Sequence, residues 1–392
     1  MNYWSPVSQK SSALAPISAH RSPFRPSPSL PLFPSNLTIH SHNPFPAAHI
    51  NHQRIASLPF RTPKIRGLKQ MIPTGKAVLR GSEPLQNVSR RNAVMNPSLG
   101  VLSLYAHSLR GHKGQKDRLN QDIYMQLPHF QGRQDSYLLS LSDGHGQYGH
   151  LVAGAVCEML PVVLGDVKNL SDVDLQREAQ GLFHSAVLRI HKSVLQSLSF
   201  NPGLSGCTLL TALIHSHTLV LSHVGDSRAL LVQTAPGASE TGFWVYQQLT
   251  TDHTPDLPLE RARIESKKGL VKPRRDSTGA YSGPARVWVQ GENLPGLAMS
   301  RSIGDSVAHA VGVSEVPQVI VHRLEARDKA LILASDGLWD VLSNSEVTMI
   351  VQRQWSTCEN CCLELVKVAE NRWNKLSSSA DDITVMVVTL SF

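Results

Sequence analysis

The segment Asp143-Gly144-His145-Gly146 constrains this chain more than any other feature, because it directly follows the apolar run 137–141. Aspartate is depleted in strands, and glycine lets backbone approach a ligand closely, so the segment suits a site better than a purely structural role. A strand-to-loop turn would be the ordinary explanation if the segment stood alone. Four further aspartates lie at or beside the ends of strong strand signals: Asp122, Asp226, Asp336 and Asp381.

These five aspartates predict a metal centre. Carboxylates that converge from several strands repel one another unless a cation lies between them. Oxygen ligands without Cys and with little His favour a hard ion, Mg2+ or Mn2+. One aspartate at a strand end is usually a turn or a cap, but coincidence is a poor explanation for five.

Charge is unevenly distributed along the 392 residues, whose net charge is +8. Residues 1–116 carry fifteen Lys and Arg against a single acidic residue, Glu83, whereas 117–392 hold 23 basic and 29 acidic residues. This acidic balance argues against nucleic-acid binding, and so against a metal-dependent nuclease with a basic groove. No stretch approaches the roughly 18 apolar residues of a membrane helix, so no membrane partner is expected.

Residues 1–95 form a basic leader rich in Ser and Pro, which we expect to be disordered. Its composition matches an organellar transit peptide, although its prolines argue against the amphipathic helix that mitochondrial import prefers. A plain low-complexity extension is the alternative. We therefore expect an intracellular protein of the cytoplasm or nucleus, or of a chloroplast or mitochondrion if the leader is a transit peptide.

Five cysteines do not make a disulfide framework, which favours a reducing compartment. Cys358, Cys361 and Cys362 are clustered, but no second Cys or His pair completes a tetrahedral zinc site. The apolar pattern around them predicts ordinary cysteines of a helix.

Periodicity predicts an α+β fold in which two antiparallel sheets pack together with helices outside. Strand-like runs occur at 101–107, 122–126, 136–142, 208–215, 218–224, 227–233, 243–250, 318–323, 329–335 and 383–390. Helical spacing occurs at 150–164, 174–198, 345–354 and 359–375. Strands group with strands, unlike the regular alternation of a parallel sheet.

Seven motifs, taken in order, resemble the metal-dependent protein serine/threonine phosphatases of type 2C. They are Asn-Gln-Asp at 120–122, Asp-Gly-His-Gly at 143–146, Gly-Cys-Thr at 206–208, Val-Gly-Asp-Ser-Arg at 224–228, Leu-Ala-Met-Ser-Arg-Ser-Ile-Gly-Asp at 297–305, Ala-Ser-Asp-Gly-Leu-Trp-Asp at 334–340 and Asp-Asp-Ile-Thr-Val at 381–385. The resemblance covers about 100–392 and implies a phosphatase domain at 96–392 that acts as a monomer on phosphoprotein substrates. It also implies the family's β-sandwich, with two antiparallel sheets flanked by pairs of α-helices in α-β-β-α layers.

The resemblance gives matching residues a role in holding Mg2+ or Mn2+. Asp143 would bridge two ions, with the Gly144 carbonyl as a further ligand. Asp336 and Asp381 would hold one ion, and Asp122 would act on the other largely through water. By the same resemblance, a third and weaker ion would be shared by Asp336 and the aspartate at 226.

The reaction expected of this set is direct hydrolysis without a phosphoenzyme. Two divalent ions neutralise the phosphate charge and lower the pKa of a bridging water, whose hydroxide would attack phosphorus in line. An alkoxide leaves poorly unless it is protonated, and the resemblance makes His145 the general acid for that step. Cys207 is not expected to be a nucleophile, because no Arg-bearing phosphate loop follows it.

Two positions depart from the family pattern. Asp117 stands where the family commonly has an arginine that clamps the phosphate, so Lys116 and Arg118 are the candidates to bind phosphate instead. Lysine lacks the bidentate fork of arginine, which weakens or re-routes that binding. Asp382 stands where an asparagine usually follows the last metal aspartate, and it either strengthens cation binding or faces solvent. We expect solvent.

A basic run at 267–275 falls where the family has a mobile flap beside the active site. A solvated loop is the first expectation, and a docking surface for acidic or phosphorylated substrates is the alternative. Trp288 is expected to pack at the base of the flap, and His253 to lie in a structural turn.

The alternative function is a pseudophosphatase, retained as a phosphoprotein-binding or scaffold module. Such a protein should lack one or more metal carboxylates, and only Asp117 supports that reading.

Overall fold

The computed structural model describes residues 88–92, 100–112, 119–165, 171–237, 242–276, 278–376 and 379–391. All of them belong to the unit Thr62–Phe392. None of the helices in these ranges is long and apolar enough to cross a membrane.

The larger of two main sheets has six antiparallel strands. They are β1 (Val88–Asn92), β2 (Gly100–Leu109), β9 (Arg228–Thr234), β10 (Trp244–Gln248), β16 (Asp328–Ala334) and β17 (Ile383–Ser391). Their order in the sheet is β1-β2-β17-β16-β9-β10. β1 lies N-terminal to the predicted domain start at residue 96 and pairs with β2, with Val88 opposite Ser108.

The second main sheet has five antiparallel strands. They are β3 (Ile123–Pro128), β4 (Ser136–Ser142), β7 (Leu209–His215), β8 (Thr218–Val224) and β15 (Gln318–Arg323). Their order is β15-β8-β7-β4-β3, so β4, β7 and β8 form its centre.

The central strands are buried on both faces, which explains their nearly continuous apolar sequences. Successive side chains of a strand point to opposite faces. In β4, Leu139 therefore packs with Leu231 and Leu331 between the two sheets, whereas Leu138 packs against helices on the outside. Full burial of one such side chain stabilises the fold by about 1.5–3 kcal/mol.

A pair of helices covers the outer face of each sheet. α1 (Gly149–Val163) and α2 (Asp172–Ser197) pack on the five-stranded sheet, and α6 (Asn344–Arg353) and α7 (Cys358–Leu376) pack on the six-stranded one. Ser171 caps α2, and Ser343 begins α6 with a full capping box. The layers are therefore α-β-β-α, and the predicted sandwich is confirmed.

The segment predicted as a solvated loop is instead a folded subdomain, which we call the flap. It consists of α3 (Pro258–Ser266), β11 (Gly269–Arg275), β12 (Tyr281–Val289) and β13 (Pro295–Leu297). The loop prediction was wrong because alternating apolar residues, Val271, Val287 and Leu297, form a small core with Ile264. Trp288 of β12 donates from Nε1 to the Lys272 carbonyl oxygen of β11 (2.9 Å), and its position at the flap base stays a prediction.

Several very short elements lie at one end of the sandwich. They are β5 (Gly144–His145), β6 (Gly206–Cys207), β14 (Ile303–Gly304), α4 (Ser306–Ala310) and α5 (Asp336–Trp339). The three strands form a small sheet in the order β14-β6-β5. Sequence periodicity did not predict them, because a two-residue strand has no period to detect.

Candidate active site

Strand register brings two of the predicted aspartates together at one end of the five-stranded sheet. Ile123 of β3 pairs with Ser142 of β4. Asp122 and Asp143 are the next residues outward from that pair, so both leave the sheet at the same edge.

Register in the six-stranded sheet brings the other three aspartates to the same end. Ala334 of β16 pairs with Arg228 of β9 and with Val385 of β17. The aspartates that follow or precede these positions along the chain are Asp226, Asp336 and Asp381. The charges of all three act on Asp143, so the two groups of carboxylates lie within electrostatic range of each other.

The backbone around Asp143 is fixed by hydrogen bonds to neighbouring strands. Its N–H donates to Thr208 Oγ1 and its carbonyl oxygen accepts from the Thr208 N–H, both at 2.9 Å. Gly144 donates to the Gln121 carbonyl oxygen at 3.2 Å. A Cβ at Gly144 would lie 2.6 Å from the carbonyl carbon of Gly149, so only glycine lets β5 approach the start of α1.

The carboxylates raise one another's pKa. Burial first, and then neighbouring acidic charges including Asp381, raise the pKa of Asp143 and of Asp336 well above the usual range. Burial raises the pKa of Asp122 to about 7 and that of Asp226 to about 6. Because each carboxylate disfavours ionisation of the next, the cluster attracts a cation.

The oxygens of this cluster fit a hard divalent cation. One oxygen each of Asp122, Asp226 and Asp336 is buried without a hydrogen-bond partner in the described protein. A buried, unpaired carboxylate oxygen is costly, and Mg2+ or Mn2+ is its usual partner. Within the described ranges, no three of these carboxylates bring their oxygens to within 4.8 Å of one another.

His145 lies beside the carboxylate cluster, and its ring is hydrogen-bonded to a further carboxylate, that of Asp305. Its Nε2 atom is 2.6 Å from Oδ2 of Asp305, and the side chains are 23% and 2% exposed. Burial disfavours the charged form of His145, but the charge and hydrogen bond of Asp305 outweigh burial and raise the pKa of His145 above its usual value. Its Nδ1 atom is buried without a hydrogen-bond partner in the described residues.

Asp305 is a site residue that the sequence analysis did not single out, although it ends the matched motif 297–305. The small sheet explains its position, since β5 pairs with β6 and β6 with β14. Asp305 follows β14 with a left-handed φ of 46° and donates its N–H to the Ser205 carbonyl oxygen at 3.0 Å. A Cβ at Gly206 would collide with its carboxylate. An aspartate after Ile-Gly at the end of that motif was the available signal.

Asp382 corrects the sequence-based expectation, because it does not face solvent. The side chain is 3% exposed. Its carboxylate accepts hydrogen bonds from the backbone N–H groups of Gly111 (2.8 Å) and Gln121 (3.0 Å). After burial, the charge of Asp382 is the next cause that raises the pKa of Asp122. Asp382 therefore fixes the loop that carries Asp122 and adds negative charge to the centre.

The two predicted phosphate-binding residues, Lys116 and Arg118, lie outside the described residues, as does Asp117. Arg286, on the flap, is a cation whose charge interacts with Asp226 of the carboxylate cluster. Burial and then the charge of Arg274 lower the pKa of Arg286, and Asp226 opposes them.

The cysteines carry no reactive signature. Cys207 is buried, and burial raises the pKa of its thiol well above the usual value, which disfavours the reactive thiolate. Cys358, Cys361 and Cys362 are free and buried in α7, as predicted.

His253 has the structural role that the sequence predicted. The ring Nδ1 of His253 accepts from the Gly225 N–H at 3.1 Å, and the backbone N–H of His253 donates to the Gly225 carbonyl oxygen at 2.8 Å. Gly225 has a φ of 108°, a conformation that glycine adopts readily. These bonds fix the turn that carries Asp226 of the carboxylate cluster.

Comparison with known proteins agrees with this geometry. The family model for protein phosphatase 2C matches residues 111–375. The chain is 34% identical over 302 residues to "Probable protein phosphatase 2C 61" of Arabidopsis thaliana, covering 76% of this chain and 86% of that protein. It is 36% identical over 285 residues to "Probable protein phosphatase 2C 48" of Oryza sativa subsp. japonica, covering 68% and 77%.

A solved structure has the same fold. The crystal structure of serine-threonine phosphatase 2C from Toxoplasma gondii superposes with a TM-score of 0.64 at 21% identity, covering 78% of this chain and 99% of that one. Nothing in these matches favours a pseudophosphatase. The chain belongs to the protein phosphatase 2C family of metal-dependent protein serine/threonine phosphatases.

Proposed function

We propose that this protein hydrolyses phosphoserine and phosphothreonine in phosphoproteins with two Mg2+ or Mn2+ ions, and that a third, weaker ion binds beside them. The observation that carries the proposal is the convergence of five carboxylates, three with buried and unpaired oxygens, next to a histidine whose pKa is raised. A purely structural site would not keep so many like charges together.

We assign the ion ligands as follows. Asp143 would contribute to holding two ions, with the Gly144 carbonyl oxygen as a further ligand. Asp336 and Asp381 would hold one of them, and Asp122 would act on the other through water. A third ion would be held by Asp336 together with the aspartate at 226. The exposed Asp340 supports this last site, because its charge raises the pKa of both aspartates.

When bound, the cations neutralise the phosphate charge and lower the pKa of a water molecule. The protein's own contribution is to hold the leaving group's proton. Asp305 fixes the Nε2 side of His145 and stabilises its charged form. That leaves the proton on Nδ1 for the serine or threonine oxygen as its bond to phosphorus breaks.

We retain Lys116 and Arg118 as proposed phosphate-binding residues in place of the missing family arginine. Arg286 is a second candidate, because its charge interacts with Asp226 from the flap side of the centre. A planar guanidinium suits a phosphate better than an ammonium does.

For the whole chain, we propose a phosphatase domain that includes β1 (Val88–Asn92), which lies before the predicted start of the 96–392 domain, and that acts as a monomer with no nucleic-acid or membrane partner. The acidic balance of 117–392 argues against a nucleic-acid partner. We propose that the protein is intracellular and that the leader 1–95 decides between cytoplasm or nucleus and an organelle.

The test is phosphate release from a phosphothreonine peptide by the full chain with Mn2+, with Mg2+ and with EDTA. We expect release with either ion, loss in EDTA and recovery on adding the ion back. Asp256→Asn, which changes an exposed aspartate outside the cluster, is the matched control and should behave as wild type. No release by a folded, cation-loaded protein would contradict the proposal.

A further inference from the structure

Behind the small sheet lies a second group of metal-ligand side chains, separate from the carboxylates. His191 comes from α2, His309 from α4, and Glu315 from the segment after α4. One ligand atom from each lies within 4.8 Å of the other two. We propose that these three residues form a binding site for a borderline divalent cation, Zn2+ above all.

The tautomer of His309 suits a metal ligand. Its Nε2 atom is 3.1 Å from the Ser302 carbonyl oxygen, which accepts, so Nε2 carries the hydrogen. The free lone pair of the neutral ring is then on Nδ1, which lies 3.5 Å from Oε2 of Glu315. A ligating histidine usually donates its other N–H to a carbonyl or carboxylate in this way.

The Nδ1–Oε2 separation of 3.5 Å suits two ligands of one ion. Two ligands about 2.0–2.1 Å from a tetrahedral Zn2+ lie roughly 3.3 Å apart. A direct hydrogen bond from nitrogen to oxygen is typically about 2.7–3.2 Å. Two histidines and a glutamate are also an established zinc ligand set, with a fourth position open to water.

His191 completes the set from the buried side. The residue is 6% exposed, and its ring centroid is 4.4 Å from that of His309. Burial is the main cause that lowers the pKa of His191 to about 4, so the ring is neutral, as a ligand must be. Its Nδ1 accepts only a long bond, 3.4 Å, from the Gly304 N–H.

Glu315 supplies the negative charge and is held in place by the backbone. The interaction with His309 is the main reason that the pKa of Glu315 falls to about 2, so its carboxylate is ionised. Its neighbour Ser314 donates its N–H to the Ser300 carbonyl oxygen (3.2 Å) and accepts from the Ser302 N–H (3.1 Å). The three ligands are therefore already nearly in place, and closing a spacing of at most 4.8 Å needs shifts of about 1 Å.

The position of the site connects it to the catalytic histidine. His191 contacts the backbone of Gly304, and the next residue is Asp305, which holds His145. An ion here would tie α2 to α4 and to the segment that carries Asp305. The competing explanation is a simple ion pair between a charged His309 and Glu315, which needs no metal.

The experiment is a Co2+ titration of the full chain after chelator treatment, with Mg2+ kept saturating at the carboxylate centre. Co2+ bound by two imidazoles in a four- or five-coordinate site absorbs visible light far more strongly than Co2+ in an octahedral oxygen site. We expect one equivalent of this absorbing Co2+, displaced by Zn2+. Since even outer-shell changes weaken metal binding about 10–100-fold, losing a ligand should weaken it at least tenfold.

Two variants decide the outcome. His309→Ala and Glu315→Gln should both lose the Co2+ absorption, and Glu315→Gln preserves volume if the first variant folds poorly. His184→Ala, an exposed histidine of the same helix as His191, is the matched control and should keep it. Absence of the absorption in wild type, or its persistence in folded Glu315→Gln, would overturn the site and leave the ion pair. Because the readout is spectral, either result is independent of phosphatase activity.

Discussion

Oδ2 of Asp305 lies 2.6 Å from Nε2 of His145, 160 residues away in sequence, and Asp305 is almost fully buried. Charge-assisted hydrogen bonds of this length are among the stronger ones in proteins. Asp305 therefore orients the imidazole and stabilises its protonated form, while Nδ1 stays free of protein partners among the described residues.

The leaving group should reveal the role of His145. In His145→Ala, we expect turnover of a phosphothreonine peptide to fall by about 100-fold or more, because the alkoxide then leaves without a proton. Turnover of p-nitrophenyl phosphate should fall far less, because its phenolate leaves without help. Steady-state rates on the two substrates measure this ratio, and equal losses on both would remove His145 from the acid role.

Asp305→Asn should also slow turnover of the phosphothreonine peptide more than that of p-nitrophenyl phosphate. The loss of activity should be smaller than in His145→Ala, since the imidazole remains but its charged form is less stable. The exposed Asp256→Asn is the control for a neutralised carboxylate. If Asp305→Asn slowed both substrates equally, or neither, Asp305 would not act through His145.

Asp382→Ala should destabilise the fold by about 1–3 kcal/mol, because it leaves the buried N–H of Gly111 and the partly buried N–H of Gln121 without their acceptor. Asp382→Asn should cost less, since its amide oxygen still accepts one bond. Urea unfolding of the three proteins in Mg2+ measures the difference. An unchanged unfolding free energy in the alanine variant would show that Asp382 is not structural.

The stability of the flap should depend on Glu260, a buried residue that is 4% exposed. It accepts from Arg301 Nη2 (2.7 Å) and from Ser300 Oγ (2.6 Å), and it is 2.8 Å from Arg263 Nη2. Glu260→Ala removes these interactions, but Arg263 still donates to the Gly312 and Ser300 carbonyl oxygens and Arg301 to that of Val316, so the change should cost about 1–3 kcal/mol. Glu265→Ala on the same helix, which removes an exposed pair with Arg261, should cost under about 0.5 kcal/mol. Equal costs in the two variants would contradict this account.

Acid should destabilise the protein through two stacked, buried histidines. The rings of His223 and His253 are 4.5 Å apart, and burial is the main cause that lowers their pKa values to about 4 and about 2. The unfolded chain therefore binds protons below pH about 6.5 that the folded protein does not bind. The unfolding free energy should fall as pH falls from about 6.5 to 4, by at most roughly 1.4 kcal/mol per pH unit for each histidine.

Urea unfolding across this range, with Mg2+ saturating, measures that slope. His223→Phe should flatten it, whereas the exposed His184→Ala should leave it unchanged. A slope that does not differ between wild type and His223→Phe would assign acid sensitivity to other groups.

The sequence predicted the sandwich well because its strands are long, apolar and bounded by turn residues. The runs predicted at 136–142, 218–224 and 318–323 coincide with β4, β8 and β15. The carboxylate cluster was equally predictable, since each aspartate lies beside such a strand.

Pairings between distant short segments escaped sequence reasoning. Asp305 reaches His145 only through three strands of two residues each, whose contacts depend on the whole fold. The burial of Asp382 depends on two backbone N–H groups more than 260 residues away. Exposure was expected because an isolated charge is normally solvated, and only tertiary structure supplies its partners.

The most direct test of the central claim compares wild type with Asp143→Asn. We predict that the variant releases no measurable phosphate from the phosphothreonine peptide at any Mn2+ concentration. In EDTA, the unfolding free energy of the variant should exceed that of wild type by about 1 kcal/mol or more, because one of several repelling charges is gone. Turnover at the wild-type rate by Asp143→Asn would contradict the account, because the reaction would then not depend on this carboxylate centre.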